Sequence, residues 1–407
     1  MACWSKEEIE IGDGTKVSAQ MPIIVSASRS TDVPAFYADW FMERLKAGYV
    51  KWFNPFNGLP LYVGFRKTRL IVFWSKNPAP MLTHLDKLDG ICPNYYFQFT
   101  LNDYDKESIE PRVPPLENRT ETFRELSERV GRDRVVWRFD PLILADNISV
   151  GDLLGKVERL GDKIAKYTSR LVFSFIDIES YKKVGGNLRK GGVNAREFTQ
   201  EEMSEIAQGI GKLARGWGIA VATCGEIADL DQYGVEHNRC IDDRLIAKCF
   251  HHDAELMKFI GAQFVQGDMF GATDEERHDR WLVSDESHTN LKDKGQRLAC
   301  GCIMSKDIGE YNTCPHLPTD RPPFPWCRHR QRDTSVPRGF LHQPLSRGLR
   351  PYRCILGIHI RRNWHRAAVR PPVRCGDPHR QQTSWRRQTA RRLLSDRWRP
   401  RRSLQSR

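Results

Sequence analysis

Short apolar runs alternate with segments of helical period along residues 21–224, and this alternation constrains the fold more than any other feature. The runs are rich in β-branched and aromatic residues and mostly continuous, which is typical of strands covered on both faces. Strands separated by helices predict an α/β fold, and seven of them favour a (β/α) barrel or partial barrel. No eighth strand is evident, so an open doubly wound sheet is the alternative. The seven predicted strands are residues 22–27, 49–53, 70–74, 95–101, 134–139, 171–176 and 219–223.

Helix-capping residues stand at the start of several segments between the predicted strands. Asp, Ser and Thr side chains accept hydrogen bonds from the first free backbone N–H groups of a helix, which is why they favour this position. Thr199, with Glu202 three residues later, fits a capping box. Apolar residues at helical spacing follow each predicted cap, so each helix has an apolar face. The predicted caps are Asp32, Thr120, Ser149, Thr199 and Asp242.

The sequence excludes two classes of protein. It contains no run of about 20 apolar residues, so no predicted segment spans a membrane. Its first ten residues are acidic and lack the apolar core of a secretory signal, so we expect a cytoplasmic protein. In that compartment the 11 Cys would stay reduced, and clustered cysteines are then better explained as metal or catalytic ligands than as disulfides.

The basic charge of the chain is concentrated in its last 90 residues. Residues 318–407 contain 23 Arg and 4 Asp with no Lys or Glu, a net charge of +19, whereas residues 1–317 carry −6. A disordered basic arm is one explanation. A gene read out of frame is the other, because natural basic arms usually mix Lys with Arg. Such a tail would bind RNA or DNA phosphates without sequence preference, so nucleic acid is a predicted partner of the tail alone.

These changes of composition predict five segments. An N-terminal extension precedes a barrel-like domain, which is followed by a polar, charged insertion and linker. A cysteine segment and the Arg- and Pro-rich tail complete the chain. The predicted boundaries are 1–20, 21–260, 261–299, 300–316 and 318–407, in that order.

Polar side chains follow the predicted strands at their carboxyl ends, where barrel and doubly wound folds bind ligands. We expect Arg29 and Arg138 to bind an anionic group of a substrate whose identity the sequence does not indicate. Asp140 or Glu226 would supply hydrogen bonds or transfer protons. The structural alternative is that Asp32 only caps a helix and that Asp140 only begins a turn before a proline. The predicted catalytic set is Arg29, Asp32, Lys76, Arg138, Asp140 and Glu226.

A cysteine segment of 17 residues carries four side chains that bind soft metals, Cys300, Cys302, Cys314 and His316. Thiolates favour zinc and iron–sulfur clusters, and the small and turn-forming residues around these side chains would let them converge on one ion. Reduced cysteines without a metal are the alternative. Two cysteines outside the segment are additional candidate ligands, although a buried free cysteine is commonly a packing residue. These are Cys224 and Cys240.

Seven longer motifs occur in order between residues 22 and 316. They are SASRSTDVPAFYADWF from Ser26, FNPFNG from Phe53, FWSKNPAPML from Phe73, YYFQFTLN from Tyr95, VVWRFDP from Val135, FSFID from Phe173 and CGC..SKDIG.YNTCPH from Cys300. Together they resemble a bacterial family, domain-of-unknown-function family 1848. The resemblance implies a C-terminal cysteine cluster similar to that of radical S-adenosylmethionine enzymes. Those enzymes use a partial (β/α) barrel, in which three cysteines spaced C-x-x-x-C-x-x-C hold a [4Fe–4S] cluster that binds S-adenosylmethionine.

The chain departs from this pattern directly after Cys314. The spacing implies cysteines at positions 318 and 321, where the sequence has Pro318 and Arg321, and neither side chain can replace a thiolate. A frameshift near Leu317 would explain both the missing ligands and the Arg-rich tail. The resemblance therefore implies radical chemistry that is impaired in this chain. The alternative functions are a zinc ion that braces a barrel without radical chemistry and nucleic-acid binding by the tail.

Overall fold

The structure is a computed structural model, and it describes residues 4–28, 31–53, 60–111, 113–180, 182–268, 273, 279–284 and 301–308. The strands of these residues are β1 (Ser5–Glu10), β2 (Lys16–Met21), β3 (Ile24–Ala27), β4 (Tyr49–Phe53), β5 (Pro60–Gly64), β6 (Leu70–Ser75), β7 (Tyr95–Thr100), β8 (Val135–Leu142), β9 (Leu144–Ala145), β10 (Arg170–Phe175), β11 (Ala195–Arg196), β12 (Ala220–Thr223), β13 (Val235–His237), β14 (Gln263–Val265), β15 (Arg280–Leu282) and β16 (Lys306–Asp307). The helices are α1 (Val33–Phe36), α2 (Ala38–Ala47), α3 (Ala79–Leu82), α4 (Leu85–Asp89), α5 (Leu116–Val130), α6 (Val150–Ile164), α7 (Lys182–Lys190), α8 (Gln200–Trp217), α9 (Asp243–Phe250) and α10 (Ala254–Ile260).

Eight strands form one parallel sheet in the order β13–β12–β10–β8–β7–β6–β3–β16. From β3 to β13 the order follows the chain without a reversal, and the last strand, β16, pairs with the first, β3. A doubly wound sheet reverses its order at a switch point, and no such reversal occurs between β3 and β13. The predicted α/β class is confirmed. No ladder between β13 and β16 is present in the described part of the chain, so a closed barrel is not shown.

A second sheet has four strands in the order β1–β2–β5–β4. The hairpin of β1 and β2 lies almost entirely in the predicted N-terminal extension, and β4 pairs antiparallel with β5. The prediction that residues 49–53 form a strand of the main sheet is therefore wrong. Helix α2 ends at Gly48, whose left-handed φ of 79° turns the chain directly into β4 and leaves no crossover to the main sheet. Two short strands that the sequence did not indicate, β13 and β16, complete the eight.

The main sheet is covered on both faces, as its continuous apolar runs predict. Strands β6 and β8 are buried along their whole length. Alternate residues of β6 face different apolar clusters: Ile71 and Phe73 pack with residues of α2, α5, α6 and α8, whereas Val72 and Trp74 pack with residues of α9 and α10. Both faces of the central strands are thus occupied, so polar side chains that face a ligand are expected at the strand ends.

Four of the five predicted helix caps are confirmed. The side chains of Asp32, Ser149, Thr199 and Asp242 each accept a hydrogen bond from the first turn of α1, α6, α8 and α9 respectively. The prediction for Thr120 is wrong, because α5 begins at Leu116, whose N–H donates to Asp105 Oδ2 at 2.7 Å. That acceptor comes from a loop 11 residues earlier, so no local pattern reveals it. No described helix is long and apolar enough to cross a membrane.

Candidate active site at the carboxyl edge of the parallel sheet

Parallel strands bring their carboxyl ends to one edge of a sheet, and polar side chains of this protein gather there. Some of these side chains come from the carboxyl-terminal halves of the strands, such as Asp140 and Ser174, and the others come from strand interiors or from loops after the strands. Hydrogen bonds and ion pairs join them into one continuous set, which we call the edge network. Its members are Asp32, Lys76, Gln98, Asn102, Glu110, Arg138, Asp140, Ser174, Asn238 and Cys240.

Arg138 and Asp140 form a buried ion pair at the centre of the edge network. Their side chains are 0% and 3% exposed, and Arg138 Nε donates to Asp140 Oδ2 at 3.0 Å. The Ser174 hydroxyl donates to the other carboxylate oxygen. Burial lowers the pKa of the Arg138 guanidinium, but Asp140 and the sulfurs of Cys240 and Cys224 together outweigh burial and hold the pKa well above its usual range. Arg138 is therefore a fixed positive charge at the sheet edge.

From Asp140 the network continues across the ends of the neighbouring strands. The Asp140 N–H donates to Asn102 Oδ1 at 2.9 Å, and Asn102 Nδ2 donates to Glu110 Oε1 at 3.2 Å. Glu110 forms an ion pair with the Lys76 ammonium, and these two side chains are 5% and 14% exposed. The backbone N–H of Lys76 then donates to Asp32 Oδ2 at 2.8 Å. The ends of β3, β6, β7 and β8 are linked in this way.

Asp32 lies at the end of the network and also caps α1. Its Oδ1 accepts the Ala35 N–H at 3.0 Å, while Oδ2 accepts the Lys76 N–H. Burial raises the pKa of Asp32 to about 6, although these hydrogen bonds oppose the rise. A carboxyl group with such a pKa exchanges its proton near neutral pH, which is the property of a general acid or base. The capping role is confirmed, and the catalytic role stays a prediction.

Three cysteines from separate segments meet beside Arg138. Cys224 follows β12, Cys240 follows β13 and Cys302 precedes β16. The sulfurs of Cys224 and Cys240 lie 3.5 Å apart, and the Cys240 N–H donates to Cys302 Sγ at 3.0 Å. Cys240 and Cys302 are buried, whereas Cys224 is partly exposed. We call these residues the three-cysteine cluster.

Hydrogen-bond donors surround the Cys240 sulfur. Asn238 Nδ2 lies 3.2 Å from it and Arg138 Nη1 lies 3.5 Å from it. The hydroxyl of Tyr96 and the amide of Gln98 hold the Cys240 carbonyl at 2.7 and 3.0 Å. Donors and a nearby positive charge favour the thiolate form of a cysteine. The arrangement therefore suits a sulfur that binds a metal or acts as a nucleophile.

The donors of the cluster are of the kind that a soft metal prefers, but the described residues do not arrange them into a complete metal site. Thiolate sulfur is the ligand type that zinc and iron–sulfur clusters select. Within the described residues, no group of three His, Cys, Asp or Glu side chains could hold a metal ion. Three of the predicted ligands lie outside the described residues, and a complete metal site would need them. These are Cys300, Cys314 and His316.

The structure brings seven predicted site residues together at this edge: Asp32, Lys76, Arg138, Asp140, Cys224, Cys240 and Cys302. Glu226 instead accepts hydrogen bonds from Ile227 and Ala228 in its own loop, at 2.8 and 3.3 Å. Arg29 lies outside the described residues. We expected Arg138 to bind an anionic substrate group, but its charge is already compensated by Asp140, because a buried guanidinium needs a partner.

Sequence reasoning missed five members of the edge network. The sequence indicated one of them, since Gln98 is a polar residue inside the otherwise apolar and aromatic strand β7. The others follow strands or lie in loops or strand interiors where polar residues are common, so their roles depend on the tertiary structure. The missed residues are Gln98, Asn102, Glu110, Ser174 and Asn238.

Comparison with known proteins identifies a family. The family described as domain of unknown function (DUF1848) matches residues 24–318. The match begins at the first residue of β3, covers both the edge network and the three-cysteine cluster, and ends where the Arg-rich tail begins. None of the curated proteins matches the chain.

Proposed function

The chain belongs to the DUF1848 family, and we propose that it is an enzyme whose reaction takes place at the carboxyl edge of the parallel sheet, beside a metal centre held by thiolates. One observation carries the proposal. Cys224, Cys240 and Cys302 converge there, with sulfurs 3.5 Å apart in the first pair and a 3.0 Å hydrogen bond joining the second.

The residues around the sulfurs support a role for thiolates. Arg138 and Asn238 both donate to Cys240 Sγ, so negative charge on this sulfur is stabilised without a metal. Metal binding requires deprotonated cysteines, and such donors also tune a bound centre. In this proposal Cys224, Cys240 and Cys302 supply thiolates to the metal. They form no complete site by themselves, and the other predicted ligands, Cys300, Cys314 and His316, lie outside the described residues.

An iron–sulfur cluster with S-adenosylmethionine is the cofactor pair that the family resemblance implies. When bound and reduced, such a cluster supplies the electron that cleaves S-adenosylmethionine. Pro318 and Arg321 stand where the resemblance implies two cluster ligands, so we propose that this cleavage is impaired in the present chain. We expect the chain to bind iron all the same, through the sulfur donors at the sheet edge and ligands outside the described residues.

Two residues of the edge network are suited to act on a substrate. Asp32 is partly exposed and its pKa is about 6, so we assign it proton transfer. Lys76 binds Glu110 and donates its N–H to Asp32, so it positions that carboxylate. Arg138 and Asp140 lie too deep for a substrate and instead fix the Cys240 sulfur and the strand ends.

We further propose that the sheet closes into a barrel between β13 and β16. The strand order supports closure, since β16 lies beside β3. A hydrogen bond from the Ile303 N–H to the Ile241 carbonyl, at 3.2 Å, also joins the segment before β16 to the segment after β13. A closed barrel would place the three-cysteine cluster at the mouth where (β/α) barrels bind ligands.

Metal analysis tests the proposed metal centre. The full chain is purified without oxygen, reconstituted with iron and sulfide, and assayed for iron, zinc and acid-labile sulfide. We expect iron in the wild type, and a loss of iron in Cys224→Ser and Cys302→Ser. The matched controls are Cys92→Ser and Cys249→Ser, because burial raises the pKa of both thiols to about 11 and both lie away from the cluster. The controls should keep the iron.

Other outcomes separate the alternatives. Zinc at one ion per chain without iron would support the zinc-braced barrel, and the absence of both metals would refute the metal centre. Production of 5′-deoxyadenosine by the wild type would contradict the proposed impairment, whereas its appearance only in the Pro318→Cys/Arg321→Cys variant would support it. Nucleic-acid binding stays a prediction for the tail, which lies outside the described residues, and should disappear when residues 318–407 are deleted.

A further inference from the structure

Cys224 and Cys240 have the geometry of a thiol pair that can be oxidised. Their sulfurs lie 3.5 Å apart, and neither residue takes part in a disulfide. Cys224 is partly exposed, so a soluble oxidant can reach it, whereas Cys240 is 6% exposed. We infer that these two residues form a reversible disulfide. A second step rests on the proposed function: formation of the disulfide removes two thiolates from the metal centre and prevents metal binding.

The chemistry is a thiol–disulfide exchange in two steps, with glutathione disulfide or a similar small disulfide as the oxidant. The Cys224 sulfur attacks one sulfur of the oxidant, whose S–S bond breaks and releases one glutathione thiol. The Cys240 sulfur then attacks Cys224 Sγ and displaces the second glutathione thiol. Two protein thiols are oxidised to one disulfide, one glutathione disulfide is reduced to two thiols, and the two protons pass from the cysteines to glutathione.

The surroundings of Cys240 suit it to the second step. Arg138 Nη1 and Asn238 Nδ2 point at its sulfur and stabilise the negative charge with which it attacks. The Cys240 backbone is fixed as well, because Tyr96 holds its carbonyl and Cys302 Sγ accepts its N–H. The attacking sulfur is therefore held next to Cys224 before the oxidant arrives.

The other described cysteines lack these features. Burial raises the pKa of the thiols of Cys92 and Cys249 to about 11, which leaves little thiolate at neutral pH. Cys302 is 0% exposed, and its sulfur accepts the Cys240 N–H. Oxidation should therefore be selective for the pair of Cys224 and Cys240.

Peptide mapping of the oxidised full chain tests the inference. Metal-free protein is incubated with glutathione disulfide, its remaining thiols are alkylated, and it is digested with trypsin. Arg239 lies between the two cysteines, so trypsin separates residues 216–239, which contain Cys224, from residues 240–244, which contain Cys240. We expect these peptides as a linked pair in most chains, and as two separate peptides after treatment with dithiothreitol. Cys249→Ser should give the same pair, and Cys224→Ser should give none.

Two results would overturn the inference: no linked pair at excess oxidant, or links that join Cys92 and Cys249 as often as the pair. Iron uptake distinguishes this failure from failure of the proposed function. If the linked pair forms but neither the oxidised nor the reduced protein binds iron or zinc, the disulfide is supported and the metal centre is refuted. If the protein binds iron and no linked pair forms, the metal centre is supported and the disulfide is refuted. With both correct, the oxidised protein takes up iron only after reduction.

Discussion

Removing either charge of the pair formed by Arg138 and Asp140 should destabilise the protein far more than removing both. In Arg138→Met, the Asp140 carboxylate stays buried and loses the guanidinium, while the Ser174 hydroxyl still donates to it. In Asp140→Asn, the guanidinium stays buried with Gln98 Oε1, at 3.1 Å, and the Cys240 sulfur as acceptors. In the double variant no unpaired charge remains.

The structure sets the size of the effect. The two side chains are 0% and 3% exposed, so water does not screen the remaining charge. Removing one partner of a fully buried pair costs about 3–5 kcal/mol, whereas replacing both partners by uncharged groups is often close to neutral. The double variant should therefore lose less than either single variant, which requires a coupling energy larger than one single loss, at least about 3–5 kcal/mol. A loss of about 3–5 kcal/mol is a large share of the roughly 5–15 kcal/mol that stabilises a folded protein.

Urea unfolding of the four proteins measures this coupling. Far-ultraviolet circular dichroism and tryptophan fluorescence should give coincident transitions, which is the condition for comparing free energies of unfolding. Ser174→Ala serves as the mild control, because it removes one hydrogen bond and no charge, at a cost of about 1 kcal/mol. Single variants that each lose less than about 1 kcal/mol, or losses that add within about 0.5 kcal/mol, would refute the buried ion pair.

Three further predictions concern stability. Burial raises the pKa of Asp32 from 3.8 to about 6, so the folded protein binds this proton more tightly than the unfolded chain. The stability that results is fully present below pH 4 and is lost as the pH rises through 6. Asp32→Asn should remove this pH dependence, a difference of up to about 3 kcal/mol between urea transitions at pH 4 and pH 7. Lys76→Met should lower the free energy of unfolding by about 3 kcal/mol, since it leaves the Glu110 carboxylate buried without a counter-charge. Adding Glu110→Gln should recover most of this stability, as measured by thermal unfolding. Thr199→Ala should cost about 1 kcal/mol by removing one half of the capping box of α8, with Ser204→Ala on the same helix as the neutral control.

The sequence predicted most of the main sheet because its strands are buried on both faces. Complete burial leaves continuous apolar runs, and six of the seven predicted strands lie in this sheet. The seventh, β4, has the same composition but pairs with β5, because composition does not record which strand is the neighbour. Strands β13 and β16 have three and two residues, too few for any periodic pattern to appear.

The site was predictable where topology alone determines position. Asp32, Lys76, Arg138 and Asp140 follow or end parallel strands, and parallel strands end at one edge. Glu110 lies in a loop ten residues after β7, and its contacts with Lys76 and Asn102 bring it into the network. Spacing along the chain could not indicate this contact.

The cysteines also make contacts that spacing along the chain does not predict. Within residues 300–316 the spacing suggests one local metal site, yet Cys302 contacts Cys240, 62 residues away in sequence. The Cys240 N–H donates to Cys302 Sγ and the Ile303 N–H donates to the Ile241 carbonyl, so contacts with the segment after β13 place Cys302 beside Cys240. A search for metal ligands by local spacing therefore groups Cys302 with neighbours in sequence and separates it from its neighbours in space.

Cys240 belongs to both the edge network and the three-cysteine cluster, and its backbone and its sulfur make different contacts. Tyr96 and Gln98 hold the carbonyl and Cys302 accepts the N–H, and none of these contacts depends on the side chain of residue 240. The sulfur alone contacts Arg138, Asn238 and Cys224. A serine hydroxyl at this position could still accept from the arginine and the asparagine, so Cys240→Ser should fold like the wild type while losing metal binding and the disulfide. A substitution of Cys240 thus affects the chemistry without affecting folding. A substitution of Arg138 changes the surroundings of the Cys240 sulfur and also leaves the buried Asp140 carboxylate without its counter-charge.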